Sequence, residues 1–144
     1  MRLFFYGTLL EGSENAVARE VHALLAPLGP ASVAGTLFAI PDPDSWFPAL
    51  VAGGGVVNGR LYETRAAFTA ADLARMDAYE DYDPRDPGRS LYVRRTIAIE
   101  HDSLAEAYVW NRPVPEGARS ISHGDFRRWL TEQGLSPFRG LREA

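Results

Sequence analysis

The chain predicts an α+β domain around a mostly antiparallel, barrel-like sheet, flanked by two or three short helices. Three observations support this. Stretches of strand character outnumber helical ones, the helical stretches are few and short, and little of the sequence has the strand–helix–strand order that a parallel crossover needs. With 144 residues, 46% of them hydrophobic, and seven Phe, six Tyr and three Trp, the chain is sized for one domain over 1–144 with its own core.

The elements follow in order. "RLFFYGT" is short, aromatic and ended by Gly7, which reads as a first strand. Beyond Ser13, Val17, Val21, Leu24, Leu25 and Leu28 recur at helical spacing, with Pro27 marking where regular helix should stop. "SVAGTLFAI" is strand-like, and "PDPDSWFP" reads as a loop. In "ALVAGGGVVNGRLYE" both Asn58-Gly59 and the run Gly53 to Gly55 are turn signals; the glycine run is taken as the turn, leaving "VVNGRLYE" as one strand. "FTAADLARM" opens a helix, with Thr69 and Asp72 as a capping box and Phe68 and Leu73 as a hydrophobic staple. After the polar loop "YDPRDPGRS", "LYVRRTIAIE" alternates with Val93, Ile97 and Ile99 on one side; "HDS" turns it into "LAEAYVWN", giving a hairpin. Ser122 with Asp125, and Ile121 with Phe126, suggest a second box and staple before a helix holding Trp129 and Leu130, closed by Gly134.

Composition removes several classes of chemistry. The chain has no cysteine, so disulfides, thiolate nucleophiles and cysteine-ligated zinc are excluded. His22, His101 and His123 lie in separate elements without ligand spacing, so no metal is expected, and each reads as a surface or capping histidine. All 15 basic residues are arginine, yet the net charge is −4, which argues against nucleic acid and for a small-molecule partner. No stretch approaches the roughly 18 apolar residues of a membrane span, and the N-terminus lacks a signal-peptide pattern, so a soluble cytoplasmic protein is expected.

Two places could carry chemistry. Leu73, Met76 and Glu80 fall at i, i+3 and i+7, which sets the Glu80 carboxyl along an apolar helix stripe. Desolvation there, with Asp77 and Asp81 close by, would raise its proton affinity and suit it to general acid–base work. The alternative is a helix-end glutamate turned to water or paired with an arginine. The second place is "YGTLLEGS", a strand running through Gly7 into a loop and helix, a junction able to offer backbone N–H groups to a ligand. It is neither a phosphate loop nor a dinucleotide turn, and no GxSxG elbow occurs in the chain.

Taken together, "YGTL" at Tyr6 to Leu9, "FPAL" at Phe47 to Leu50, "GRLY" at Gly59 to Tyr62, "MDAYE" ending at Glu80, and "YVR" at Tyr92 to Arg94 occur in the order of the γ-glutamylcyclotransferase-like proteins, including the AIG2-like group. "AEAYVW" and "SHGDFRRWL" also look like that family's closing strand and helix, so the resemblance spans nearly the whole chain. It implies the family's mixed, barrel-like fold and a cofactor-independent cyclotransferase in which a γ-glutamyl donor cyclises to 5-oxoproline and releases an amine. By similarity, Tyr6, Gly7, Thr8 and Leu9 would hold the glutamyl moiety and Glu80 would move the proton; Tyr92 and Arg94 would line or support the pocket, and Phe47 and Pro48 would shape a wall. The loop from Asp81 to Ser90, with Arg85 and Arg89, is expected to border the leaving-group side. Two positions depart from the family pattern: Asp81 stands where glycine is frequent, and Leu10 where lysine is. A non-catalytic module that binds a small ligand on the same fold is the rival reading.

Overall fold

The computed structural model describes residues 1–10, 15–42, 45–100 and 102–135. The apolar run at the N-terminus forms β1 (Arg2–Phe5), buried on both faces: Leu3 and Phe5 enter one core, Phe4 the other. Burial on both faces marks a central strand. The sheet order is β4-β5-β1-β3-β2-β6, where β2 is Leu25–Asp42, β3 Ser45–Thr64, β4 Tyr92–Ile99, β5 Ser103–Trp110 and β6 Arg119–Ser120. β1 pairs antiparallel with β3 and parallel with β5, so the sheet is mixed, and the remaining pairings are antiparallel. Just past β4, the Glu100 N–H donates to Ser32 O of β2 at 3.3 Å, and the Ser32 hydroxyl donates to the Glu100 carboxylate at 3.0 Å. These bonds join strands four places apart in the sheet, which therefore curls as expected of a barrel-like architecture.

The first helix is shorter than its apolar spacing suggests. α1 (Ala16–His22) is capped by Asn15, whose side chain accepts from Ala18 N, while Ser13 falls outside the described residues. Leu25 and Leu28 belong to β2 rather than to the helix, with Leu25 opposite Thr64 and Leu28 half-exposed. Pro27, Gly29 and Pro30 disfavour helix here, and pairing with β3 overrides the periodicity.

"PDPDSWFP" is not a loop over its length either. Pairing continues through Ile40↔Phe47, Pro41↔Trp46 and Asp42↔Ser45, with Pro43 and Asp44 outside the described residues. The run Gly53 to Gly55 is likewise no turn, and neither is Asn58-Gly59: β3 continues past both. Register shifts from Thr36↔Val51 to Ala34↔Val56, so Ala52 to Gly55 bulge opposite Gly35 and the long hairpin bends without reversing. Gly59 serves close approach instead, because a Cβ there would sit 2.2 Å from Phe5 O on β1. "VVNGRLYE" is a continuous stretch of paired strand, as expected.

The β4–β5 hairpin forms as the alternation indicated, with Tyr92↔Trp110, Arg94↔Tyr108 and Thr96↔Glu106 as cross-strand pairs. α2 (Ala70–Tyr79) carries the expected capping box, with Thr69 N donating to Asp72 Oδ2 at 2.8 Å. α3 (Phe126–Gln133) ends at Gly134 in the left-handed conformation, but its cap is Asp125, which accepts from Arg128 N at 2.9 Å, and not Ser122. α1 and α2 lie over the core cluster containing Leu3, Phe5 and Tyr62, and α3 over the cluster containing Phe4, Leu37 and Leu50. No described helix is long and apolar enough to cross a membrane.

Candidate active site

The segment after β1 turns tightly, with Leu10 N donating to Gly7 O at 3.0 Å. Three side chains pin it from outside. Asn15, fully buried, donates to Thr8 O at 2.7 Å while it caps α1; His22 Nε2 lies 2.5 Å from Leu9 O; Arg127 of α3 donates to Leu10 O at 3.1 Å. Gly7 meets Pro48 of β3 so closely that a Cβ would lie 2.2 Å from Pro48 Cγ. The loop backbone is thus fixed from both sides.

Against this loop stands the end of α2. Glu80 is its C-cap, buried at 9% exposure one turn beyond the fully buried Met76, whose carbonyl accepts from Glu80 N. Asp81 then adopts φ 55°, the left-handed region where glycine is most at ease and aspartate is among the better-tolerated alternatives. The departure from the family's glycine therefore keeps the turn that glycine would make.

Phe5, Tyr6, Gly7, Thr8, Leu9, Pro48, Glu80, Tyr92 and Tyr108 together line one narrow cavity of about 20 Å³, room for about one water. Of the residues expected at the site, the loop, Pro48, Tyr92 and Glu80 are brought together here. Phe47 is packed in the core, and Arg94 is not among the lining residues. Tyr92 donates its hydroxyl to Pro48 O at 2.6 Å and so holds the opposite wall. The Tyr6 hydroxyl donates to Tyr108 O at 2.6 Å and accepts from Leu50 N, which commits the side chain to the fold and leaves its backbone in the loop.

Tyr108 was not expected at the site, and Asp77 was expected only as a charge close to Glu80. Asp77, three residues before Glu80 and 4% exposed, accepts from the Tyr108 hydroxyl at 2.6 Å and from Arg94 Nε at 2.9 Å. Arg94 Nη1 also donates to Glu106 at 2.7 Å, and the Thr96 hydroxyl donates to the same carboxylate. The signal was present in "MDAYE", where two acids fall at i, i+3 on one helix face, but an exposed and a buried aspartate look alike in sequence. Burial would lower the Arg94 pKa, yet the bonds and charge of Asp77 raise it above its ordinary value. Burial, then the nearby Glu80 charge, pushes the Tyr6 hydroxyl far above the usual phenol range. Burial, followed by hydrogen bonding to Asp77 and the charges of Asp77 and Glu80, does the same to Tyr108.

Of the histidines expected at the surface or as caps, His22 instead braces Leu9, with its ring edge-on to Tyr62, and His123 pairs with Glu132 beside α3; His101 lies outside the described residues. The loop after α2 borders a larger hollow of about 580 Å³, lined by Asp77, Asp81, Asp83, Asp86 and Arg89 but not by Arg85. The larger space is not the one that Glu80 lines.

Residues 3–128 match the family model described as gamma-glutamyl cyclotransferase, AIG2-like. Among solved structures, the chain is similar to an AIG2-like protein from Mus musculus, with TM-score 0.68 and 21% identity over 95% of this chain and 94% of that one. It is also similar to protein ytfP from Escherichia coli, with TM-score 0.58 and 29% identity over 88% and 96%. A third is the uncharacterized protein PH0828 from Pyrococcus horikoshii, with TM-score 0.65 and 19% identity over 93% and 96%. No curated protein sequence matches the chain. The family match covers most of the sequence and the curled mixed sheet agrees with the mouse neighbour: the chain belongs to the gamma-glutamyl cyclotransferase, AIG2-like family.

Proposed function

We propose that the protein is a cofactor-independent γ-glutamyl cyclotransferase acting on a small γ-glutamyl donor. The donor's α-amine attacks its own γ-carbonyl, so one C–N bond forms as the amide C–N bond breaks. Glu80 takes the proton from the attacking nitrogen and returns it to the leaving nitrogen, giving 5-oxoproline and a free amine. The observation that carries this reading is a buried carboxyl at a helix end lining one cavity with the pinned backbone of Gly7 to Leu9. Tyr6 and Tyr108, whose hydroxyls hold their protons far above neutrality, are poor bases at working pH, which leaves the shuttle to Glu80.

The nucleophile belongs to the substrate, so positioning dominates. A well-oriented intramolecular attack reaches effective molarities of about 10⁵–10⁸ M, against about 10²–10⁴-fold from a general base. One carboxyl and a cradle suffice on these magnitudes. A glutamyl moiety needs more than the room of one water, so the cavity opens on binding, and the hollow beside Asp81 and Arg89 serves as the leaving-group side.

The test is Glu80→Gln, which keeps size and hydrogen bonding but cannot accept and return a proton. Turnover of a panel of γ-glutamyl donors, read as 5-oxoproline release, should fall about 10²–10⁴-fold, with donor binding by calorimetry and thermal melting preserved. Full activity in the variant would refute the role of Glu80. Donor binding without turnover in the unsubstituted protein would instead establish a binding module.

A further inference from the structure

Asp77 is buried three residues before Glu80, a spacing that puts neighbouring side chains on one side of a helix. It is held from two strands at once, by Arg94 of β4 through Nε at 2.9 Å and Nη2 at 3.4 Å, and by the Tyr108 hydroxyl of β5 at 2.6 Å. Tyr108 also lines the Glu80 cavity, and its carbonyl receives the Tyr6 hydroxyl at the start of the cradle loop. A single chain of bonds thus runs from Arg94 through Asp77 and Tyr108 to the loop that faces Glu80. We propose that Asp77 is a positioning residue, locked by Arg94 and Tyr108, that fixes the end of α2 against the Gly7–Leu9 loop, and that Arg94 screens its charge from Glu80. This rests on the reading of Glu80 as the proton carrier.

The titratable and charged groups around this helix end include Asp77, Tyr79, Asp81, Tyr82 and Asp83 from α2 and the turn after it, Tyr6 after β1, Tyr92 and Arg94 on β4, and Glu106 and Tyr108 on β5, with His22 of α1 behind Leu9 and Arg94 lying over the Tyr82 ring. Arg94 bonds both Asp77 and Glu106, so this trio carries one excess negative charge. The two partners therefore act oppositely on Glu80. Loss of the Asp77 charge makes protonation of Glu80 harder; loss of Arg94 makes it easier.

The test follows the Glu80 carboxyl directly, in protein carrying ¹³C-labelled glutamate, with the signal assigned from Glu80→Gln. Its titration midpoint should move to lower pH in Asp77→Asn and to higher pH in Arg94→Gln, a pair of opposite shifts that a purely structural role does not produce. Tyr108→Phe should lower kcat by about 10²-fold with KM nearly unchanged, the cost of a misplaced group in an otherwise intact site. Arg94→Lys should return the midpoint towards that of the unsubstituted protein. Midpoints that stay put or move together, or a Tyr108→Phe variant with full kcat, would overturn the proposal. Should Arg94→Gln not fold, Asp77→Asn and Tyr108→Phe decide it alone. If the unsubstituted protein releases no 5-oxoproline, the titrations still decide the screening, and only the enzymatic reading falls.

Discussion

The two faces of the sheet are filled differently. Under α3 the core is almost wholly apolar, built from Phe4, Val33, Leu37, Leu50, Ile121, Phe126 and Trp129. On the side of α1 and α2 lie the buried polar and charged residues among those described: Thr8, Asn15, Asp77, Glu80 and Ser90. A buried polar group destabilises the fold unless it is bonded, and here Asn15, Asp77 and Ser90 each hold named partners. If Glu80 is the proton carrier proposed above, one face stabilises and the other carries chemistry, so substitutions on the two faces should separate stability from activity.

The largest effect on stability is expected on the α3 face. Phe126 is 1% exposed and stacks on Trp129, so Phe126→Ala should cost about 3–5 kcal/mol in urea unfolding while kcat of the surviving folded fraction stays near normal. Comparable loss of kcat in that fraction would erase the distinction between the faces.

Gly7→Ala tests the border of the site. Its Cβ would collide with Pro48 Cγ, so destabilisation of about 1–3 kcal/mol is expected by thermal melting, with a fall in kcat/KM as the wall shifts. Pro48→Ala in the same chain should recover part of both losses; additive losses would place the clash elsewhere.

Alkaline pH probes one buried tyrosine from each face, Tyr6 from the cluster under α3 and Tyr108 from the cluster under α1 and α2. Tyr6 and Tyr108 keep their protons in the native state, whereas unfolded tyrosine gives its proton up near pH ~10. The native chain then binds more protons than the unfolded one, so this stabilisation is complete below that pH and is lost as pH rises beyond it, by up to about 1.4 kcal/mol per pH unit for each residue. Urea unfolding followed upward from pH ~9 should show the decline, and Tyr108→Phe should make it shallower. An unchanged slope in that variant would mean that Tyr108 ionises in the folded state.

The smallest effect is expected at Asp81, whose φ of 55° is strained for any residue with a Cβ. Asp81→Gly should be stabilising by less than about 1 kcal/mol, with turnover retained. Destabilisation would show that the aspartate side chain gives this turn more than its backbone conformation costs.

What the sequence made legible were features set by neighbours a few residues apart: the capping box at Thr69, the β4–β5 alternation, the helix end at Glu80, and the "YGTL" loop. What it hid depended on partners far along the chain. Leu25 and Leu28 carry helical spacing, but Pro27 and pairing with β3 decide for strand. Three consecutive glycines signal a turn only when nothing lies opposite them; here β2 does, and they become a bulge. Asp77 is legible as a charge near Glu80, but its burial and its bonds depend on Arg94 and Tyr108, 17 and 31 positions later.

The narrowness of the Glu80 cavity has a consequence for ligand affinity. On the proposed function, a γ-glutamyl group needs more than this space, and because the Gly7–Leu9 loop is pinned and Gly7 abuts Pro48, uptake would draw on whatever share of molecules has that contact eased. The measured affinity is then the intrinsic one divided by that share: an open population of about one in a hundred weakens apparent binding about a hundredfold. A substitution that loosens the contact between Gly7 and Pro48 would strengthen binding without touching the ligand, and saturable association rates would report the opening step itself.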